Sequence, residues 1–283
     1  MNPPVHLVHV FPAGPGGGNP APIVIDADGV DDDGMRAVAR DRGHESGFVL
    51  TAPPESGCDY ALRFWVPNHE MTMCGHATVG AAWLLDHLGR LDGDEVAFRT
   101  RSGRVDARLS GPADDRTVEI SQPAGVVEPV DGRAVSEVLA VLGVTEDQLG
   151  PQPVLNASTS RVKTLVPVAD VSVLDGLRPD FSRMAEVCDL VGSTGLYPYA
   201  PSDPERRTFD ARQFPRSSGY PEDAATGVAA AALSFGLLES GLVERYDRPI
   251  RVRQGRAMGR PSEIVLRFAR DGGVWLGGRV VMA

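Results

Sequence analysis

The sequence predicts an α+β protein built from two similar halves, and three observations lead to this prediction. The stretch Glu70–Leu85 has a counterpart 152 positions later, Glu222–Leu237, and each copy opens with a glutamate before a glycine and an apolar run. The Ala-rich runs after Gly75 and Gly227 are typical of helices that are packed on most of their surface. Similar strand and helix patterns surround both stretches in the same order, which indicates a duplicated unit rather than a long repeat array.

In the first half, apolar runs predict strands and an aspartate-rich segment predicts the start of a helix. Asp31, Asp32 and Asp33 supply the cap and the first-turn acids of a helix that runs through Met35 and Val38. The strands are predicted at Val5–Phe11, Pro22–Ile25, Ser46–Thr51, Tyr60–Val66, Glu95–Arg99, Gly103–Leu109 and Thr117–Ser121.

In the second half, the same criteria predict a helix over Asp180–Leu190, and Pro123–Asn156 joins the halves with a helix at Ala134–Leu142. Strands are predicted at Arg161–Val168, Gly195–Tyr199, Thr208–Phe214, Ile250–Gln254, Ser262–Phe268 and Gly278–Met282. We therefore predict one domain over residues 1–127, which the last strand near 276–283 would complete, and a second over 128–275.

Composition and charge narrow the class of protein. The 283 residues carry a net charge of −10, which argues against a nucleic-acid or acidic membrane surface as the partner. No apolar run approaches the roughly 20 residues that span a bilayer, and the first residues show no basic segment followed by an apolar one. Three scattered cysteines do not form a disulfide framework. We expect a cytoplasmic protein with no membrane partner.

The sequence offers no pattern for a cofactor or a metal. The glycine-rich segment Gly14–Asn19 lacks the Gly-Lys-Ser/Thr of a phosphate loop and lies between two strands. His69, Cys74 and His76 are spaced unlike any usual zinc site. We therefore predict no metal and no organic cofactor.

Gly75 and Gly227 begin the two predicted buried helices. A glycine there lets a ligand approach the N–H groups of the first turn, which have no acceptor within the helix. The N-terminus of a helix attracts anions. Two such helix starts predict one anionic substrate held by both.

Three polar residues lie beside these helix starts, and each has two interpretations. Glu45, just before a buried strand, is either a solvated loop acid or a desolvated acid/base with a raised pKa. His76 is either a packing or capping residue or a group that polarises a substrate. Asp223 is a helix cap, part of the reaction, or both, since the two roles are not exclusive.

Five ordered motifs then indicate a family. They are R-F-W-V-P-N-H-E-M-T-M-C-G-H-A-T from Arg63, G-N-P-A-P-I-V-I from Gly18, H-E-S-G-F-V from His44, G-Y-P-E-D-A-A-T-G from Gly219 and Q-G-R-A-M-G-R-P-S from Gln254. The chain resembles the phenazine-biosynthesis isomerase (PhzF-like) family of the diaminopimelate epimerase superfamily. This resemblance implies two pseudo-symmetric domains, each a mostly antiparallel sheet around a central helix, with the active site between them. It also implies a homodimer that needs no metal or cofactor.

The resemblance assigns roles to individual residues. It implies that Glu45 is the general acid/base, that His76 belongs to the active site and that Asp223 polarises the substrate or acts as a second acid/base. The residues that it implies for substrate binding are Asn19, Gly75, Gly227 and Val228.

The chain also departs from the family pattern. Ala224 stands where proline is common and Val228 where serine is common, which questions the phenazine precursor as substrate more than it questions the reaction class. The superfamily's racemases use two cysteines, but Thr226 occupies the second position here and excludes that mechanism. Cys74 alone is interpreted as a small packing residue.

Together these features predict a cofactor-independent isomerase or epimerase that acts on a small carboxylated metabolite. The alternative is a catalytically silent protein of the same fold that binds a small molecule or a partner. Retention of Glu45, His76 and Asp223 favours the enzyme.

Overall fold

A computed structural model describes residues 3–245 and 248–283, and the chain divides into two units. The first unit comprises Met1–Ser121 and Leu276–Ala283, and the second comprises Gln122–Trp275. The first unit therefore includes the end of the last strand. This part of the first unit follows the whole of the second unit in the sequence. In the described part of the chain, no helix is long and apolar enough to cross a membrane.

The first unit is a closed, mostly antiparallel sheet. Its strands are β1 (Val5–Val10), β2 (Asn19–Val24), β3 (Ser46–Thr51), β4 (Tyr60–Trp65), β5 (Glu70–Met71), β6 (Glu95–Thr100), β7 (Gly103–Ser110), β8 (Thr117–Gln122) and the last strand, β17 (Val274–Met282). Pairing runs β1–β2–β3–β4–β6–β7–β8, with β5 beside β4. Strand β17 pairs with both β8 and β1, so the ring of strands closes.

A single helix, α2 (Gly75–His87), packs against strands β1, β2, β3 and β7 of this ring. Every residue from Gly75 to Leu85 is buried, which explains its Ala-rich and Gly-rich sequence. At Gly80, an added Cβ would lie 3.0 Å from Val8 Cγ2 and 3.2 Å from Val10 Cγ2. The helix can approach β1 this closely only because its contacting residues are small.

Helix α1 (Asp32–Arg42) packs against β3 and β4. Asp31 caps it as the sequence predicts, because its carboxylate accepts a hydrogen bond of 2.8 Å from the Gly34 N–H. The helix ends at Gly43, which has a positive φ of 67°.

The second unit is likewise built from a sheet and a buried helix, and it occupies a longer segment of the chain. Its strands are β9 (Val126–Pro129), β10 (Leu155–Ser158), β11 (Val162–Pro167), β12 (Gly195–Asp203), β13 (Thr208–Ala211), β14 (Phe214–Pro215), β15 (Ile250–Gln254) and β16 (Ser262–Phe268). Its helices are α3 (Gly132–Leu142), α4 (Val171–Gly176), α5 (Met184–Leu190) and α6 (Gly227–Glu239). Pairing runs β9–β10–β11–β12–β13–β15–β16, and β14 also pairs with β12.

Helix α6 is the buried helix of the second unit. It packs against β9, β10, β11 and β16, and all residues from Gly227 to Leu237 are buried. Helices α3 and α5 contact each other. They share an apolar cluster with β11 that includes Val138, Leu142, Val166 and Val187.

Several element boundaries differ from the sequence prediction. The helix predicted over Asp180–Leu190 begins only at Met184, because the Asp180 carboxylate accepts hydrogen bonds from the Ser182 N–H and hydroxyl in a local turn. Phe181, within the predicted helix but before the observed one, is 47% exposed. Strands β9 and β10 and helix α4 were not predicted. Strand β17 begins at Val274, four residues before the predicted start.

Strand β2 begins at Asn19, three residues before the predicted start at Pro22. It pairs along its whole length with β1 but with β3 only at Ile23 and Val24. A proline disrupts a sheet only where its missing N–H would bond a neighbouring strand. Pro20 and Pro22 precede the part of β2 that pairs on both sides, so the strand tolerates them.

The close contact between β17 and β8 gives a test of the first unit. A Cβ added at Gly277 would lie 2.1 Å from the Val118 carbonyl oxygen and 2.7 Å from Glu119 Cα, both backbone atoms. Gly277→Ala should therefore lower the free energy of unfolding by about 1–3 kcal/mol or more, the usual cost of overpacking. Urea unfolding measures this change. Gly93→Ala is the matched control, since nothing lies within 4 Å of its Cβ position; equal losses in both variants would contradict the packing described here.

Candidate active site

Glu45 lies at the junction between helix α1 and strand β3. Gly43 ends the helix, and Ser46 begins the strand with its hydroxyl donating to the His44 carbonyl at 3.2 Å. Glu45 is only 8% exposed. Of the two interpretations of Glu45, the structure excludes the solvated loop acid.

Glu45, Cys74 and His76 form one buried cluster at the start of helix α2. The Cys74 thiol donates a hydrogen bond of 3.0 Å to Glu45 Oε2. The Cys74 Sγ lies 3.4 Å from His76 Nδ1, and that nitrogen lies 3.5 Å from Glu45 Oε2. Cys74 is buried, as expected of a packing residue, and its thiol also contacts both predicted catalytic side chains of the first unit.

The other ring nitrogen of His76 has an unusual environment. Nε2 is buried, and within residues 3–245 and 248–283 it has no hydrogen-bond partner. Buried polar atoms in proteins are nearly always satisfied. This nitrogen is therefore available to bind a polar atom of a ligand.

The first turns of both buried helices lack a side-chain cap. Cys74 precedes α2 and Thr226 precedes α6, and neither side chain accepts a hydrogen bond from the helix that follows. Gly75 and Gly227 are the first residues of these helices, as the sequence predicts. The first N–H groups of a helix have no acceptor within it, so both helix starts suit an anionic group.

The glutamate that opens each copy of the repeat has an arginine partner. Arg63 donates two hydrogen bonds to Glu70, of 2.7 and 2.9 Å, and Arg101 adds a third of 2.7 Å. In the second unit, Arg212 donates two to Glu222, of 2.9 and 2.7 Å. We call these two pairs the Arg–Glu clamps. Arg63 lies in β4 and Arg212 lies between β13 and β14, and each arginine binds the segment before a buried helix.

Asp223 belongs to a hydrogen-bond network centred on Gln254. The Gln254 amide group donates to the Asp223 carbonyl at 2.7 Å and to Thr226 Oγ1 at 3.1 Å. Its oxygen accepts from the Thr226 N–H at 3.3 Å and from the Tyr197 hydroxyl at 2.9 Å. Thr226 Oγ1 in turn donates to Asp223 Oδ2. Gln254 thereby uses its whole hydrogen-bonding capacity to hold the loop before α6.

Gly255 supports this network from the backbone. It has a φ of +79°, and an added Cβ would lie 2.7 Å from the Ala224 carbonyl oxygen. Burial and the nearby Asp223 carboxylate raise the pKa of Tyr197, so its hydroxyl remains a donor. Sequence reasoning assigned no role to Gln254, Gly255 or Tyr197, although the Q-G pair was part of a motif.

The remaining predicted residues are buried within their own units. Asn19 is 6% exposed at the first position of β2, where it pairs with Val10. Val228 is buried as the second residue of α6. The structure brings Glu45 and His76 together with the α2 start, whereas Asp223 lies beside the α6 start of the second unit.

The chain is similar over most of its length to proteins named as isomerases. It is 34% identical to an uncharacterized isomerase of Deinococcus radiodurans, over 91% of this chain and 84% of that protein. It is 28% identical to the trans-2,3-dihydro-3-hydroxyanthranilate isomerase of Pseudomonas fluorescens, over 94% of this chain and 90% of that protein. A solved structure described as a predicted epimerase from Pseudomonas aeruginosa matches with a TM-score of 0.85 and 27% identity, covering 99% of this chain and 96% of the other.

Fold, cluster and relatives together define the chain as an enzyme of the isomerase and epimerase class. The model of the PhzC-PhzF family, described as phenazine biosynthesis-like protein, matches residues 8–282. The chain belongs to this family, as the five motifs indicated.

The clamp in the first unit makes stability depend on pH. The hydrogen bonds from Arg63 hold the pKa of Glu70 below its ordinary value of 4.5. A carboxylate whose folded pKa is lowered stabilises the fold above its unfolded pKa and loses that contribution as pH falls through the folded pKa. Glu70→Gln should therefore cost about 1.5–3 kcal/mol at pH 7, as for hydrogen bonds to charged groups, and this difference from the wild type should shrink below about pH 4.5.

Denaturant unfolding at a series of pH values measures the effect of Glu70→Gln. Glu95→Gln is the control, because Glu95 is exposed. A pH-independent difference for Glu70→Gln would show that the ionised clamp contributes nothing to stability.

Proposed function

We propose that this chain is a cofactor-independent isomerase or epimerase that transfers a proton on a small carboxylated metabolite, with Glu45 as the acid/base. The observation that carries the proposal is the buried cluster at the α2 start. It combines a glutamate that is only 8% exposed with a thiol donor at 3.0 Å and a histidine whose Nε2 has no partner among the described residues. General acid/base catalysis needs such a positioned, largely desolvated carboxylate.

In the proposed reaction, Glu45 removes a proton from a carbon beside a carbonyl, imine or carboxylate group of the substrate. The electron pair of the broken C–H bond moves toward the substrate oxygen or nitrogen, where negative charge develops. The N–H groups at Gly75 and His76 stabilise that charge in the manner of an oxyanion site. Glu45 then returns the proton, to a different carbon in an isomerisation.

The second unit completes this proposal. We infer that the two units are pseudo-symmetric halves, each with a buried helix whose start suits an anionic group. Gly227 and Val228 would bind the anionic group of the substrate, and Asp223 would polarise the substrate or act as a second acid/base. The hydroxyl of Thr226, which donates to Asp223, supports this role by fixing the orientation of the carboxylate. Asn19 would bind the substrate as well.

The substrate is proposed to be a small carboxylate that need not be the phenazine precursor. The relative from Pseudomonas fluorescens is named for trans-2,3-dihydro-3-hydroxyanthranilate, which makes that compound the first to test. Val228, in place of the serine common in the family, offers an apolar group and no hydroxyl at the α6 start. A substrate with a smaller or less polar group there fits this chain better. The homodimer that the family resemblance implies remains a prediction.

Substitution of the proposed base tests the mechanism. Glu45→Gln keeps the shape of the side chain but cannot accept a proton, so turnover should fall by at least about 100-fold, the low end of general-base contributions. Cys74→Ser keeps a hydrogen-bond donor to Glu45 and should cost far less. Turnover is measured on the trial substrate and on compounds that raise the melting temperature in a screen of small carboxylates.

Heavy water supplies the second readout. Because one carboxylate removes and returns the proton in a water-poor site, product should carry less than full deuterium at the receiving carbon. An active Glu45→Gln variant with an inactive Cys74→Ser variant would overturn the mechanism. Binding that Glu45→Gln leaves intact, with no turnover in the wild type, would favour the silent binding protein instead.

Val228 is the residue for a test of specificity. Val228→Ser restores a hydroxyl at the α6 start and should shift preference toward more polar analogues by about tenfold, the value of one hydrogen bond. The measurement is kcat/KM across a panel of related carboxylates. An unchanged ranking would remove Val228 from the substrate site.

A further inference from the structure

The cluster at the α2 start has the shape of a metal site that the sequence spacing did not predict. One atom each from Glu45, Cys74 and His76 lies within 4.8 Å of the others, and the closest approaches form a triangle of 3.0, 3.4 and 3.5 Å. His69, considered with Cys74 and His76 on spacing alone, is exposed and is not part of the cluster. The third member of the cluster is instead Glu45, which lies 29 residues before Cys74 in a different part of the unit.

The triangle closely matches the ligand spacing around tetrahedral zinc. Zinc bonds of about 2.3 Å to sulfur, 2.0–2.1 Å to nitrogen and 2.0–2.2 Å to oxygen place such ligands about 3.4–3.6 Å apart. The two edges that involve His76 are 3.4 and 3.5 Å, so they fit as they stand. Only the edge between Cys74 and Glu45 must lengthen, by about 0.5 Å. A small rotation of the Glu45 carboxylate is enough for this change.

The charges also balance. A Zn²⁺ ion, the Glu45 carboxylate, the Cys74 thiolate and a neutral His76 sum to zero, and a neutral group is far less costly to bury than an isolated charge. Binding replaces the thiol proton of Cys74 by the metal, and this proton leaves to the solvent. Thiolate and imidazole ligands select zinc over hard cations such as Mg²⁺, which prefer oxygen.

We propose that Glu45, Cys74 and His76 bind one Zn²⁺ ion, and that this ion inhibits the enzyme. The three protein ligands leave a fourth position for water or for a substrate carboxylate. Occupation of Glu45 by the metal removes the acid/base from the reaction. The binding stands on geometry alone, whereas the inhibition rests on the function proposed above.

Cobalt spectroscopy tests the binding without any substrate. The full chain is stripped of metal with a chelator and titrated with Co²⁺, which reports a sulfur ligand through a thiolate-to-cobalt charge-transfer band. The band should saturate at one Co²⁺ per chain and should be displaced by Zn²⁺ but not by Mg²⁺. In Cys74→Ser the band should be absent, and competition with a coloured zinc chelator should show at least about 100-fold weaker zinc binding.

Cys58→Ser is the matched control, because Cys58 lies in the same unit outside the cluster and is partly exposed. This variant should keep the band and the zinc affinity of the wild type. His76→Asn should keep the band but weaken the affinity, and it tests the site if Cys74→Ser fails to fold. A wild type without the band, a band that survives in Cys74→Ser or one that disappears in Cys58→Ser would overturn the site.

The inhibition has its own readout. Micromolar zinc should abolish the turnover of the wild type, a chelator should restore it, and Cys74→Ser should need about 100-fold more zinc for the same inhibition. Cobalt binding at the cluster together with zinc-insensitive turnover would refute the inhibition while the site stands. If no turnover is found at all, the cobalt spectrum still decides the metal site, so failure of the function and failure of the site are distinguishable.

Discussion

The enclosure of one helix by the strands of each unit is the constraint on which the rest of the structure depends. Strands close around α2, and every residue from Gly75 to Leu85 is buried. A helix in this position has no exposed face, so its sequence must be small and apolar where the strands approach. The polar side chains of the candidate site lie at its first turn, where they have little freedom to move. A site built on a rigid element holds its geometry better than one on a mobile loop.

The segments that lead into the buried helices are fixed by polar contacts rather than by regular structure. The Arg–Glu clamps bind the glutamates of these segments, and the Gln254 network holds the turn that contains Asp223. Partly buried charges are costly unless they are paired, and a fully satisfied pair is specific to one arrangement. The geometry before each helix is thus fixed by hydrogen bonds from arginine and glutamine side chains.

Much of the fold follows from local sequence, and much of the site does not. Strands such as Ser46–Thr51 and Ile250–Gln254 have the predicted bounds, because alternating or continuous apolar residues between turn signals are a local property. The start of α5 was placed too early because Asp180 caps a turn instead of the helix. Contacts between residues that are far apart in the sequence are harder still to predict. Nothing in the spacing shows that Glu45 and Cys74 meet, since only the pairing of β3 within the closed sheet determines which residues lie near the α2 start.

The route of strand β17 has a consequence for how the chain acquires its structure during synthesis. This strand completes the sheet of the first unit by pairing with β1, yet residues 122–275, which are 154 residues, are made between Ser121 and Leu276. At typical translation rates of about 5–20 residues per second, the ribosome needs about 8–30 s to cross this interval. Throughout that time β1 lacks one of its two neighbouring strands and presents an open edge, which is the kind of surface that pairs with the wrong chain. The second unit can meanwhile collapse first, so the part of the protein that is synthesised earliest is the last to close.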